Sequence, residues 1–208
     1  DWRGRSPGRL VAANALDADA CRAIFRAKGR PLVDPLIVHL HDVAQLALVA
    51  EPNAAALRLA RRFWPGPLTL VLPKQAVVPP IVSAGRATVA VRVPAHAVFR
   101  RLLKRCGLPL AAPSANRFGY ISPTTAAHVQ HGLGKKIRHI LDGGPARIGL
   151  ESTIVDLRNP TRPRVLRPGA ITAEMLAKTL GRPVSAPRRK AVADSSAAQL
   201  APGLLARH

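Results

Sequence analysis

The 208 residues of this chain, 22.1 kDa in mass, suffice for one ordinary domain with a short tail. Its charge is unusual, because 32 Lys and Arg against 11 Asp and Glu leave a net charge of +21. The hydrophobic share of 48% excludes full disorder, the short apolar runs exclude a membrane span, and two distant cysteines exclude a disulfide scaffold. With no signal sequence, we expect a cytoplasmic location.

The surplus of cations favours partners rich in phosphate, because each Lys or Arg that meets a phosphate releases a condensed counterion. A basic surface without a particular partner is the alternative, and charge alone does not decide between them. The cations are not interleaved with aromatic residues, which make up 3% of the chain. Stacking on single-stranded bases is therefore not expected.

The chain divides into three parts. Residues 1–10 (DWRGRSPGRL) predict an irregular basic arm, residues 11–182 a folded domain, and residues 183–208, rich in Pro, Arg, Ala and Ser, a linker or tail. The predicted strands are 36–40, 68–72, 88–93, 108–112, 137–141, 153–157 and 164–166. The predicted helices are 17–28, 43–49, 54–63, 97–105, 124–131 (with Ser122 or Thr124 as N-cap) and 172–180. This interleaving predicts an α/β sheet domain.

Polar residues at the ends of these elements are the candidates for chemistry, because α/β sheets bind ligands there. Lys28 and Arg30 flank Gly29 at the end of the first helix, where they could clamp a triphosphate or simply serve as cations at a helix C-terminus. Ser114 and Asn116 follow a predicted strand, where they could contact phosphate or ribose or form a turn. Each of these patterns is weak by itself.

Four further residues stand out in apolar surroundings. Arg92 lies within the strand TVAVRV and Arg167 follows another strand, so each either meets an anion or lies at a sheet edge. His39 lies in the run LIVHL, where a core histidine is the commoner outcome. Ser152 precedes a strand and could hold a small polar ligand or cap the strand edge. The sequence contains no Gly-rich phosphate loop, no nucleophile elbow and no metal-ligand cluster, so no metal site is predicted.

Seven segments follow one another between Lys28 and Ile171, namely KGRP, PLIVHL, WPGPLTLVL, TVAVRVP, PLAAPSAN, ESTIVDL and VLRPGAI. In this order they resemble the YrdC-like family of threonylcarbamoyl-AMP synthases, and the combination of K-x-R with S-x-N is specific to that family. The resemblance implies an open, twisted, mixed α/β sheet flanked by helices (the YrdC-like fold) over residues 11–182, with a large basic concave face.

The resemblance also implies a nucleotidyltransferase. Such an enzyme makes threonylcarbamoyl-AMP and pyrophosphate from L-threonine, bicarbonate or CO2, and ATP, with Mg2+ on the triphosphate. Its product feeds tRNA threonylcarbamoyladenosine formation through downstream threonylcarbamoyl-transfer machinery. The implied catalytic set is Lys28, Arg30, Ser114 and Asn116. The implied ATP contacts are Arg30, Asp34, Thr88, Ser114, Ser122 and Arg167, and the implied threonine contacts are His39, Arg92, Ala112 and Ser152.

The sequence departs from the family pattern at both ends. Members begin with a strand and a hydroxyl-bearing Pro-Thr-Glu-Thr motif, and residues 1–10 stand in its place ahead of Val11. We therefore expect the first strand and one threonine contact to be missing, and this chain to be inactive or nearly so. The tail resembles the start of a linker to a second domain that is absent here. The alternative function is a non-catalytic module that binds double-stranded RNA or tRNA through the basic face.

Overall fold

Seven strands form one open sheet in the computed structural model, which describes residues 10–121, 123–142, 151–186 and 199–202. The strands are β1 (Ala13–Asn14), β2 (Ile37–His39), β3 (Leu68–Pro73), β4 (Thr88–Arg92), β5 (Leu110–Ala111), β6 (Thr153–Asp156) and β7 (Arg164–Arg167). Their order is β1-β5-β2-β4-β3-β6-β7. β2 with β4 and β3 with β6 are parallel pairs, and the other neighbours are antiparallel. The predicted open, mixed α/β sheet is confirmed.

The helices are α1 (Ala18–Lys28), α2 (Leu46–Val49), α3 (Ala54–Phe63), α4 (Ala97–Cys106), α5 (Ala126–Leu133) and α6 (Ala173–Leu180). Short 3-10 turns occupy Val43–Gln45 and Gly134–Lys136. None of the helices in the described ranges has both the length and the apolar character that a membrane crossing needs.

The ends of α1 follow the sequence closely. Asp17 is its N-cap, and the carboxylate accepts two backbone N–H groups of the first turn at 2.8 and 3.0 Å. Gly29 ends the helix in the left-handed conformation, with φ of 62°, which residues with a side chain mostly avoid. Lys28 and Arg30 therefore lie on either side of an abrupt change in chain direction.

Alternate side chains of the central strands face two different surroundings. One set packs beneath the helices in the main core and includes Val38, Leu70, Leu72, Val89, Val91 and Val155. We call the opposite surface, which carries Ile37, Val71, Ala90 and Ile154, the site face. The strand period places His39, Thr69 and Arg92 on it as well. Burial of each Leu or Val in the main core contributes roughly 1.5–3 kcal/mol to folding. The sheet is therefore stabilised mainly on the face that packs against the helices, and less on the site face.

The first edge of the described sheet is built by residues 10–15. β1 pairs antiparallel with β5, and the pairing continues through Val11 N to Pro113 O at 3.0 Å and Ala15 N to Pro109 O at 2.9 Å. The segment from Val11 onwards, which follows the first strand in the family pattern, thus pairs with β5. Residues 1–9, which make up nearly all of the predicted arm, lie outside the described residues.

Two parts of the predicted tail pack on the domain. Val165 N donates to Ser185 O at 2.9 Å, and Gln199 N donates to Val33 O at 2.9 Å. Ala201 is fully buried against the site face. Residues 185 and 199–201 therefore belong to the folded body, while residues 187–198 and 203–208 of the predicted tail lie outside the described residues.

The start of α5 differs from the prediction. The helix begins at Ala126, and its N-cap is Thr125, whose hydroxyl accepts from His128 N at 3.2 Å. Thr124 as N-cap was wrong by one residue, because the extended backbone that a cap requires occurs at Thr125. Ser122, the other predicted cap, lies outside the described residues.

The strand predicted over residues 137–141 does not form. Ile137 packs beside a small cluster of Ala115, Val129 and Leu133, and Leu141 is 61% exposed. The polar residues Arg138 and His139 lie exposed between them. The apolar pattern there reflects one anchoring side chain, because within the described sheet no neighbouring strand pairs with this segment.

Candidate active site

Arg92 is a buried cation at the end of β4, with only 2% of its surface exposed. Its Nε donates to Gly66 O at 2.9 Å, whereas its Nη2 has no hydrogen-bond partner among the described residues. Burial and the nearby Arg167 lower the pKa of Arg92 to about 10, so it stays charged at neutral pH. Because β4 is an inner strand, a sheet edge does not explain this cation. The free donor marks a place for an anion.

The loop that holds Arg92 is itself fixed by hydrogen bonds. Gly66, whose carbonyl accepts from Arg92, donates its N–H to Val93 O at 2.9 Å. Trp64 Nε1 donates to Leu68 O at 2.7 Å. The loop is thus tied to the start of β3 and the end of β4, and the orientation of the guanidinium is set in advance of any ligand.

His39 lies next to Arg92 across the parallel pair β2 and β4. It is 2% exposed, and its Nδ1 has no partner within the described part of the chain. Burial and the charge of Arg92 lower the pKa of His39 to about 3, so the imidazole is neutral at physiological pH. Its ring meets Phe99 edge-on, with centroids 5.3 Å apart. Together the two side chains suit a small anion that also carries a polar group.

Arg167, at the end of β7, encloses Ser152 from two directions. Nε donates to Ser152 O at 3.1 Å and Nη2 donates to Ser152 Oγ at 3.0 Å. Ser152 Oγ also lies 2.8 Å from Thr69 Oγ1, and both hydroxyls are buried. Glu151 pairs with Arg167 Nη1 at 2.7 Å. Burial lowers the pKa of Arg167 and Glu151 opposes that change, so a second cation is held on this face.

Gly169 allows β7 to approach the start of β6. A Cβ at this position would lie 2.5 Å from both Glu151 O and Thr153 N, which are backbone atoms that cannot move aside cheaply. Thr153 Oγ1 donates to Ile171 O at 2.8 Å and accepts from Ile171 N at 3.0 Å. A larger residue than glycine would therefore push β7 away from Ser152.

Arg30 and Asp34 form a buried ion pair just after α1. Arg30 Nη2 lies 2.9 Å from Asp34 Oδ2, with side chains 2% and 0% exposed. Arg30 also donates from Nε to Asp34 O at 3.0 Å and from Nη2 to Pro35 O at 2.8 Å. Burial lowers the pKa of Arg30, Asp34 and Glu151 raise it, and Arg167 lowers it. The ion pair thus lies within electrostatic reach of Arg167.

Lys28 joins the end of α1 to the loop after β5. Its Nζ donates to Ser114 O, to Asn116 O at 2.5 Å and to Asn116 Oδ1 at 3.5 Å. Burial and the charge of Arg30 lower the pKa of Lys28 to about 7. Asn116 Nδ2 in turn donates to Tyr120 O, so one lysine and one amide define the course of this loop.

The remaining predicted substrate contacts, Thr88, Ala112 and Ser122, do not join these groups of side chains. Thr88 begins β4, four residues and roughly 13 Å from Arg92, and its buried Oγ1 has no partner in the described ranges. Ala112 is buried, and its N–H donates to Ile37 O at 3.1 Å. Ser122 lies outside the described residues. The structure therefore brings together three groups: His39 with Arg92, Ser152 with Arg167, and the α1 end with residues 114–116.

Sequence reasoning missed three residues that shape these groups. Thr69 bonds to Ser152, Gly66 supplies the carbonyl for Arg92, and Gly169 brings β7 close. Thr69 had the same signal as Arg92, because it is a polar residue inside the apolar strand LTLVL. The glycines carry no such signal, since PGP and RPG segments also occur in ordinary turns.

Comparison with known proteins identifies the family. The family model Sua5/YciO/YrdC, described as telomere recombination, matches residues 10–169. The threonylcarbamoyl-AMP synthase of Pyrococcus abyssi is 50% identical over 173 residues, 82% of this chain and 50% of that protein. The threonylcarbamoyl-AMP synthase of Bacillus subtilis is 44% identical over 200 residues, 95% of this chain and 57% of that protein.

A solved structure agrees with these relatives. The crystal structure of P. abyssi Sua5 complexed with L-threonine matches with a TM-score of 0.86 and 44% identity, over 96% of this chain and 59% of that one. The chain belongs to the Sua5/YciO/YrdC family, which confirms the resemblance seen in the sequence. It spans about half the length of the curated relatives that it matches.

Proposed function

We propose that this chain is the catalytic domain of an L-threonylcarbamoyladenylate synthase. The reaction joins L-threonine, bicarbonate and ATP into threonylcarbamoyl-AMP and releases pyrophosphate and water. The observation that carries the proposal is the buried Nη2 of Arg92, a cationic donor without a partner among the described residues, beside the equally buried Nδ1 of His39. Both relatives described above are named threonylcarbamoyl-AMP synthases, and a binding module without catalysis is not favoured.

L-threonine binds over the ends of β2 and β4 in this proposal. Its carboxylate meets Arg92, whose fork can donate two hydrogen bonds to one carboxylate. The neutral His39 and the hydroxyl of Ser152 contact its other polar groups. Ala112 contributes its backbone carbonyl, because its N–H is already donated to Ile37.

ATP binds beside the threonine, in contact with Arg30, Asp34, Thr88, Ser114, Ser122 and Arg167. An oxygen of the threonine carbamate attacks the α-phosphorus, and the bond to the leaving pyrophosphate breaks. Negative charge gathers on the phosphate oxygens, where the cations Arg30 and Arg167 stabilise it. Lys28 and Asn116 hold the loop that carries Ser114. Mg2+ enters with the triphosphate as part of the nucleotide substrate, and no covalent nucleophile is required.

RNA is proposed as a further partner on the basic surface. Three cations of α4, Arg101, Lys104 and Arg105, are exposed on one helix, which suits contact with a phosphate backbone. The product would then pass to the tRNA threonylcarbamoyl-transfer machinery. A steep loss of binding to double-stranded RNA with rising salt, reduced when the three cations are replaced by Gln, supports this partner. Salt-independent or unchanged binding contradicts it.

Release of pyrophosphate from ATP tests the proposed function. We expect release that requires both L-threonine and bicarbonate from a form that carries a family-type first strand ahead of Val11, and little or no release from the 208-residue chain. Arg92→Ala should abolish the threonine-dependent release of pyrophosphate, because the threonine carboxylate loses its cation. Arg61→Ala, a matched change on the exposed face of α3, should not. If neither form requires threonine for pyrophosphate release, the proposal is wrong.

A further inference from the structure

Thr69 is a buried hydroxyl in a strand of leucines and valines. It lies in β3 between Leu68 and Leu70, which pack in the main core, so its side chain points to the site face. The residue is fully buried, although Val would fill nearly the same volume without a polar atom. The threonine and ATP contacts proposed above do not include it. A buried polar group in such a place is explained by its hydrogen bonds.

The hydroxyl oxygen of Ser152 has two hydrogen-bond partners. Arg167 Nη2 donates to Ser152 Oγ at 3.0 Å, and Thr69 Oγ1 lies 2.8 Å from the same atom. Arg167 Nε holds the backbone of Ser152 in place through its carbonyl at 3.1 Å. The position of the Ser152 oxygen is thus fixed from both sides, and only the direction of its hydrogen remains to be assigned.

That direction follows from the number of hydrogens available. A guanidinium only donates, so Ser152 Oγ accepts from Arg167. Each hydroxyl has one hydrogen, and Ser152 is the hydrogen-bond partner of the Thr69 side chain in the described structure. If Ser152 donated to Thr69, the Thr69 hydrogen would be buried without an acceptor, which is costly. Thr69 therefore donates, Ser152 accepts twice, and the Ser152 hydrogen is left for a third partner.

We propose that Thr69 is a positioning residue that makes the Ser152 hydroxyl a hydrogen-bond donor to an oxygen of bound L-threonine. The proposal rests on the proposed function, in which Ser152 contacts threonine. With both lone pairs of Ser152 engaged, a substrate oxygen is accepted at this point and an amine is rejected. The amino group of threonine must then point elsewhere, towards the Ala112 side, where it is available for carbamate formation.

Titration calorimetry with L-threonine on the full chain, at a saturating concentration of a nonhydrolysable ATP analogue, tests this role. Thr69→Val should weaken threonine binding about tenfold, equivalent to about 1.4 kcal/mol, because Ser152 can then turn its hydrogen towards other acceptors. Thr69→Ser retains the donor and should stay close to wild type. The affinity for the ATP analogue should change less than about twofold in either variant, a selectivity that general loosening of the sheet would not produce.

A double mutant tests whether Thr69 affects threonine binding through Ser152. In a Ser152→Ala background, Thr69→Val should have no further effect on threonine affinity, because its target is gone. Unchanged threonine affinity in Thr69→Val, or an equal loss in the Ser152→Ala background, overturns the role of Thr69. Unchanged affinity in Ser152→Ala alone overturns the contact between Ser152 and threonine, and with it the role of Thr69, while the site at Arg92 is tested separately by Arg92→Ala. Thr69→Ala should give the same loss as Thr69→Val, and it replaces the latter if that variant does not fold.

Discussion

The buried cations of the site fall into two groups that differ in what their hydrogens meet. Lys28 and Arg30, at the end of α1, direct their hydrogens to oxygens of the protein itself. Arg92, at the end of β4, keeps one nitrogen without a partner among the described residues. All three are at most 6% exposed, so burial does not distinguish them. The first group is already bonded to oxygens of the polypeptide, whereas the second keeps a nitrogen available for a ligand.

Removing the carboxylate that pairs with Arg30 of the first group should have the largest effect on stability. Asp34→Ala leaves Arg30 as a buried cation without its ion pair, and we expect a loss of roughly 3–5 kcal/mol in the free energy of unfolding. Urea denaturation measures this loss. Asp19→Ala, which removes the exposed partner of Arg22, is the matched control and should cost less than about 1 kcal/mol. Equal losses in both variants would mean that the Arg30 ion pair contributes nothing particular.

Replacing the lysine of the same group should give an effect that depends on pH. Lys28→Met leaves Ser114 O and Asn116 O without their donor, at a cost of roughly 1–3 kcal/mol. The pKa of Lys28 is lowered to about 7 in the folded protein from its ordinary value of 10.5, so between these values the unfolded chain binds more protons.

The stability of the wild-type chain should therefore rise relative to Lys28→Met as pH increases from about 7 towards 10.5, by at most about 1.4 kcal/mol per pH unit. Below pH 7 the difference should be constant. Denaturation curves at pH 6, 8 and 9.5 measure it. A difference that does not vary across this range would show that Lys28 keeps its proton throughout.

Conservative replacement in the second group should affect binding and leave the fold intact. Arg92→Lys keeps the charge but loses the planar fork, so we expect about tenfold weaker L-threonine binding, equivalent to about 1.4 kcal/mol. Calorimetric titration gives the affinity, and thermal unfolding of the same sample provides the control. Unchanged affinity would assign Arg92 to the structural group.

An effect of similar size is expected at Gly29, which lies between Lys28 and Arg30. Gly29→Ala forces a side chain into a left-handed backbone conformation, and we expect a cost of roughly 1–2 kcal/mol in the free energy of unfolding. Gly132→Ala, at a position in α5 with open space around it, should instead be neutral or stabilising. A cost as large in Gly132→Ala would show that the effect at Gly29 does not arise from its backbone angle.

Much of this arrangement was predictable from the sequence. The ends of α1 followed from Asp17 and Gly29, and the inner strands followed from their apolar or alternating runs. Arg92 stood out because a charge inside a buried strand needs an explanation. What could not be predicted is pairing at a distance, since Lys28 and Ser114 are 86 residues apart and meet only through the order of the strands.

Prediction from the local sequence was wrong at two further segments for another reason. β1 contains only two residues, which is too few for a periodic pattern. Residues 137–141 had the composition of a strand, but no strand of the described sheet lies beside them. In both cases tertiary contacts decide the backbone conformation, and local preference does not.

The loop behind Arg92 has an optical consequence. The sequence contains two tryptophans, Trp2 and Trp64, and Trp64 is fixed two residues before Gly66, the carbonyl partner of Arg92. An anion that arrives at the guanidinium changes the electric field at this indole and, with it, the wavelength and intensity of its emission. In a Trp2→Phe variant, intrinsic fluorescence therefore reports occupancy of the Arg92 site in solution, without any label or coupled enzyme.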